Sequence, residues 1–168
     1  MNEHTQAYMV EVIRKFLDGG FDGDKWDYEV HQEIAFIGRV GGLKGKITNL
    51  RFCIIAGDTT VSCYYSAPIT VPEEKRTAIS EFITRANYGL TNGNFEMDFS
   101  DGELRYKTTI SQHDLLRNDT AAFHSMIFLM GLGPSMWQRY GDNLAALLFG
   151  YTDGKSVEEL VCQCENAE

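Results

Sequence analysis

Four cysteines stand at positions 53, 63, 162 and 164. Thiolates hold zinc when two close pairs converge, and work as a redox couple when a dithiol is suitably spaced. Neither pattern is present. Cys162-Gln-Cys164 sends two thiols to different sides of a helix, and Cys53 and Cys63 read as cross-strand neighbours packed as free thiols. A disulfide between them is not expected in a reducing compartment. His4, His31, His113 and His124 lack the i, i+4 spacing of a helical metal site. On its apolar helix His124 reads as a core residue; His31, beside Glu29 and Glu33, reads as part of a solvated strand face. Ser62, Ser66 and Ser125 have no recognisable nucleophile setting. The glycines at 38, 41, 42 and 45 are not followed by a helix pattern, so there is no phosphate loop. Asp22-Gly-Asp24 resembles only the opening of a calcium loop, because the later EF-hand ligands are missing. The residues predict no catalytic group, no metal and no cofactor.

The information lies in the elements that would position such groups. Asp101-Gly102 sits between two alternating segments, which predicts a hairpin with a two-residue turn and positive φ at both turn positions. In that register Ser100 faces Glu103, Phe99 faces Leu104, Met97 faces Tyr106 and Phe95 faces Thr108, with the apolar members toward the core. The other face then sets Asp98 against Arg105 and Glu96 against Lys107. Each such charge pair contributes roughly 0.2–1 kcal/mol.

A helix precedes the hairpin. Pro72 suits its first position, Glu73 and Glu74 favour the positive end of its dipole, and Ile79, Phe82, Ile83, Ala86 and Leu90 form its apolar stripe. Gly89 reads as a left-handed cap at its end. The segments Val71-Pro-Glu-Glu-Lys-Arg76, Phe82–Leu90, Gly93–Asp98 and Asp101–Tyr106 resemble the YbjN family of bacterial proteins, labelled sensory transduction regulators. Within them Pro72, Asn87, Gly89, Gly93, Asn94, Glu96, Asp98, Asp101, Gly102 and Arg105 make up the signature. The resemblance is sharp over roughly a quarter of the chain, and the order of elements follows it over most of the rest. It implies a fold similar to type III secretion chaperones and carries no catalytic residue with it.

The length of 168 residues suits one domain, residues 1–168. With 43% apolar residues and frequent aromatics the chain is globular rather than disordered. A net charge of −9 without a basic run disfavours nucleic acid and anionic membrane surfaces as partners. Met1–Gln6 lacks the cationic and apolar regions of a signal peptide, and Met126–Leu132 is too short to span a bilayer, so the expected location is the cytoplasm. The sequon Asn118-Asp-Thr120 has meaning only in a secreted chain.

In chain order, Thr5–Asp18 reads as a helix ended by Gly19-Gly20. Tyr28–Val40, Asn49–Ala56 and Thr60–Ala67 read as three strands. A three-residue loop at Gly57–Thr59 would place Ala56 opposite Thr60 and Cys53 opposite Cys63. The apolar run Phe52–Ala56 predicts a central strand. Asp114–Thr120 reads as a loop or helix start. Ala121–Met130 predicts a buried helix broken at Gly131-Leu-Gly-Pro134, with a second helix opening at Pro134 and ending at Gly150. Ser156-Val-Glu-Glu159 matches a capping box before a last short helix.

The predicted fold is α+β: a helix, a three-stranded antiparallel meander, a helix, a β-hairpin and C-terminal helices, one sheet with helices on one side. The resemblance implies a non-catalytic protein-binding or chaperone-like regulator in bacterial stress or sensory signalling. The alternative is a small-molecule binder or an enzyme with a pocket between sheet and helices. An unidentified protein partner and self-association into a homodimer are expected, the latter through an apolar C-terminal third in which Met136, Trp137 and Tyr140 are the candidate interface residues.

Overall fold

The computed structural model describes residues 3–20 and 23–166. Asp22 of the short acidic loop and the side chain of His4 lie outside the described residues. The described residues form five helices and six strands. They run α1 (Glu3–Leu17), β1 (Tyr28–His31), β2 (Ala35–Gly41), β3 (Asn49–Ala56), β4 (Thr60–Thr70), α2 (Glu73–Gly89), β5 (Asn94–Met97), β6 (Glu103–Ser111), α3 (Gln112–Leu116), α4 (Asp119–Phe149) and α5 (Val157–Glu165). The strands make one antiparallel sheet in the order β1-β2-β3-β4-β6-β5. The α+β class is therefore observed, with β6 rather than β5 lying against the meander.

Alternation along the strands explains the layering, because successive side chains point to opposite faces. In β3, Leu50, Phe52, Ile54 and Ala56 are buried while Asn49 and Arg51 are exposed. Val61, Cys63, Tyr65 and Ala67 of β4 and Leu104, Tyr106, Thr108 and Ile110 of β6 continue the buried face. Met9, Val12, Ile13 and Leu17 of α1 close one part of this face, and Ile79, Phe82, Ile83 and Ala86 of α2 another. Trp137, Tyr140, Leu144 and Leu148 of α4 complete the core. Phe95 sits edge-on to Tyr106, Trp137 and Tyr140, with ring centroids 4.9, 5.4 and 5.7 Å away. Such T-shaped contacts add about 0.5–1.5 kcal/mol each beyond area burial.

Tyr28–Val40 is not one strand. It folds into a hairpin, β1 on β2, with Gln32 and Glu33 at φ +50° and +62° and His31 opposite Ala35. The apolar alternation continues smoothly through the turn and hides it; no Gly or Pro marks the reversal. Three residues join β3 to β4 as expected, but the register is shifted by one, so Ala56 faces Val61 and Ile54 faces Cys63. Cys53 faces Tyr64 instead, and the two cysteines lie on opposite faces of the sheet. β4 also runs past Ala67 to Thr70, through a register irregularity between Ser66 and Thr70 that holds Pro68, a place where a missing N–H is tolerated.

The expected break at Pro134 is absent. α4 is a single helix of 31 residues with Pro134 inside it. Proline removes the N–H that would bond the carbonyl of Met130. Tyr65 of β4 replaces it: its hydroxyl donates to the Met130 carbonyl at 2.8 Å. Ser135 Oγ donates to the Gly131 carbonyl at 2.9 Å, so the next turn is also supported. Gly133 gives the Tyr65 ring its room, since a Cβ there would collide with it. Trp137 Nε1–H returns to the Tyr65 carbonyl at 2.9 Å. His124 falls on the exposed side of this helix, not in the core. Asn118, the sequon residue, is its N-cap, accepting from Ala121 N–H at 2.8 Å.

α5 lies over α4 and α2 and buries Leu160, Val161 and Cys164. The Ser156 capping box forms as expected: Glu159 N–H donates to Ser156 Oγ at 3.2 Å, and Ser156 N–H to Glu159 Oε2 at 2.8 Å. Arg139 Nε donates to the Cys164 carbonyl at 2.9 Å, a cation at the negative end of the helix.

Candidate functional site

The hairpin β5–β6 departs from the expected register. Asp101-Gly102 is not a two-residue loop, and only Gly102 has positive φ, +82°. The chain turns over Asp98–Gly102, with Asp98 N–H donating to the Glu103 carbonyl at 2.9 Å and Gly102 N–H to the Asp98 carbonyl at 2.8 Å. Phe95 therefore faces Tyr106, Glu96 faces Arg105 and Met97 faces Leu104. The shift is two residues, so inward and outward faces are preserved. Phe99 is the exception, leaving the strand and standing 59% exposed. Asp98 does not meet Arg105 across the ladder. It accepts from Ser100 N–H at 2.7 Å and Ser100 Oγ at 2.6 Å, which hold its carboxyl below the usual range.

Contacts from outside the hairpin impose the wider turn. Val71 N–H donates to the Gly102 carbonyl at 2.9 Å, and Arg76 Nη1 donates to the Phe99 carbonyl at 2.6 Å. A side chain at Gly102 would strike the Val71 carbonyl. Pro72 is the N-cap of α2 rather than its first helical residue. Gly89 is the last residue of α2 without positive φ; the left-handed conformation falls on Gly93 at +70°, against Tyr106. Asn87 reaches from α2 to β5: its Nδ2 donates to the Phe95 carbonyl at 2.9 Å and its Oδ1 accepts from Phe95 N–H at 2.8 Å. Of the signature residues, Asn87 thus ties α2 to β5 and Gly102 ties the turn to Val71 just before α2.

With every helix on the core side, the other face of the sheet is open. Strand pairing arranges its side chains in transverse rows. One row is Ile37, Cys53, Tyr64 and Lys107. The next is Arg39, Arg51, Ser66, Arg105 and Glu96. Arg105 is the fixed member: Nη2 lies 2.9 Å from Glu96 Oε2, Nη1 lies 3.6 Å from Glu103 Oε2, and the guanidinium sits 4.5 Å over the Tyr64 ring. Partial burial pushes the Glu96 carboxyl up. Hydrogen bonds from Arg105 and Asn94 and the charges of Lys107 and Arg105 outweigh this and hold it below the usual carboxylate range. Ser66 Oγ donates to Glu103 Oε1 at 2.8 Å. Two hollows open on this face, about 580 and 480 Å³, and Arg39 and Arg51 line both.

The residues expected at a partner interface sit elsewhere. Trp137 and Tyr140 are each 1% exposed and belong to the chain's own core, and Met136 is partly buried against it. Burial pushes the Cys53, Cys63 and Cys164 thiols up, away from the thiolate form that nucleophilic or metal chemistry requires. Among the described residues no three His, Cys, Asp or Glu side chains gather as a metal-ligand group. No described helix is long and apolar enough to cross a membrane. Arg39, Arg51 and Tyr64 carried no sequence signal, because their alignment depends on knowing which strands are neighbours. The chain matches no protein-family model and no curated protein sequence.

Proposed function

We propose that this chain is a non-catalytic protein-binding module, a YbjN-like regulator with a secretion-chaperone-like fold, acting in the cytoplasm and meeting its partner with the open face of the sheet. The observation that carries this reading is the asymmetry of the sheet. One face is closed by helices, and the other presents an ordered cluster of Tyr64, Arg105, Glu96 and Lys107 beside the exposed Arg39 and Arg51. Tyrosine and arginine are the side chains enriched at protein contacts that carry binding energy. A small-molecule pocket between sheet and helices is less favoured, because Phe95, Tyr65, Trp137 and Tyr140 pack that space.

The test compares proteins captured from a lysate of the source organism by wild type and by Tyr64→Ala, after far-UV circular dichroism shows the two equally folded. A protein retained by wild type and depleted with Tyr64→Ala supports the reading. Identical sets, or no protein above an empty-resin control, overturn it.

A further inference from the structure

We infer that the Arg39–Arg51 pair is the docking point for an acidic, extended peptide segment of the partner; this rests on the open-face reading above and names the chemistry it recognises. Arg39 and Arg51 are direct cross-strand neighbours on β2 and β3, and both are exposed. Like charges directly opposite on a sheet are destabilising. The chain holds 24 carboxylate side chains against 15 lysines and arginines, yet no described carboxylate forms an ion pair with either residue. Arg105, in the same row, shows the contrast, since it is taken up by Glu96 and Glu103.

The geometry fits one kind of occupant. Neighbouring strands lie about 4.8 Å apart, so a single carboxylate can bridge both guanidinium groups, each offering a bidentate fork. Beyond the pair the row continues through Ser66 to Arg105, with Tyr64 in the adjacent row, a surface along which the rest of an extended segment can lie. Asp27 and Glu29 flank the first hollow, and Asp101 and Glu103 the second.

Fluorescence anisotropy of labelled hexaglutamate tests this, with labelled hexaglutamine as the neutral probe and inorganic phosphate as competitor. Wild type should bind hexaglutamate in preference to hexaglutamine, more weakly as salt rises. Arg39→Gln/Arg51→Gln should weaken binding at least about tenfold, the scale of losing a charge-paired contact. Lys44→Gln/Lys155→Gln, the same charge change elsewhere, should leave it unaltered. The arginine double variant should melt at or above the wild-type temperature, because a repulsion is removed. Equal loss in both double variants, no hexaglutamate binding, a lower melting temperature of the arginine variant, or displacement by millimolar phosphate would each overturn the inference. If the peptide fails while Tyr64→Ala still loses a captured partner, only the arginine assignment falls; if both fail, the open-face reading falls with it.

Discussion

Replacing Tyr65 by Phe removes one atom from the core and should be among the costlier conservative changes in the chain. The Tyr65 hydroxyl is the donor to the Met130 carbonyl, at 2.8 Å, where Pro134 has no N–H to give. Burial pushes the Tyr65 phenol well up, so the hydroxyl stays a donor throughout the working pH range. A buried carbonyl stripped of its partner costs about 1–3 kcal/mol. With a urea m-value of about 2 kcal/mol/M, the unfolding midpoint should fall by about 0.5–1.5 M. The decisive measurement repeats the change in a Pro134→Ala background. The alanine of that variant brings a backbone N–H to the Met130 carbonyl, so Tyr65→Phe should there cost about 0.5 kcal/mol or less, the scale of an ordinary surface change. The difference between backgrounds is the coupling energy of a double-mutant cycle. Equal costs in the two backgrounds would refute the assignment of Tyr65 as the stand-in donor.

Asn87→Ala deletes two hydrogen bonds to the Phe95 backbone and should cost about 1–3 kcal/mol, read by urea unfolding, with faster hydrogen exchange at the Phe95 amide. The Glu96 carboxyl is held low in the folded state, so its contribution is present above the unfolded carboxylate pKa and is lost as pH falls through the folded value. The stability gap between wild type and Glu96→Gln should accordingly be constant at neutral pH and close under acid; a gap that widens on acidification would contradict the pairing. Trp137→Ala should cost about 3–5 kcal/mol. It should leave the light-scattering mass of the folded fraction unchanged, because Trp137 is 1% exposed within its own chain.

Local signals located the helices that end in clear chemistry, α2 with its acidic first turn and α5 with the Ser156 box. They failed where a distant residue decided the outcome. Asp101-Gly102 encodes a tight turn in isolation, and the Val71 and Arg76 contacts select a wider one. Pro134 encodes a helix end, and Tyr65 of a strand supplies what the proline lacks. The reversal at Gln32 and Glu33 uses positive φ at residues that ordinarily avoid it, so no turn was legible there. Large apolar residues of α4 were visible as a surplus, but whether α5 or another molecule covered them depended on tertiary packing. The open face was the least legible feature, since its rows join side chains from strands separated by α2.

The Asn87 amide also makes the two rims of the sheet unlike. On β5 it occupies the outward N–H and carbonyl of Phe95, whereas the outer rim of β1 has no backbone partner among the described residues. A sheet with two bare rims can add copies without limit, and one with a single bare rim cannot. On β5 the Asn87 amide stands where an incoming strand would bond Phe95, whereas two copies could meet β1 to β1. Asn87→Ala frees the Phe95 N–H and carbonyl on the second rim for strand addition, so thioflavin fluorescence should rise on incubation of that variant and stay flat for the native chain.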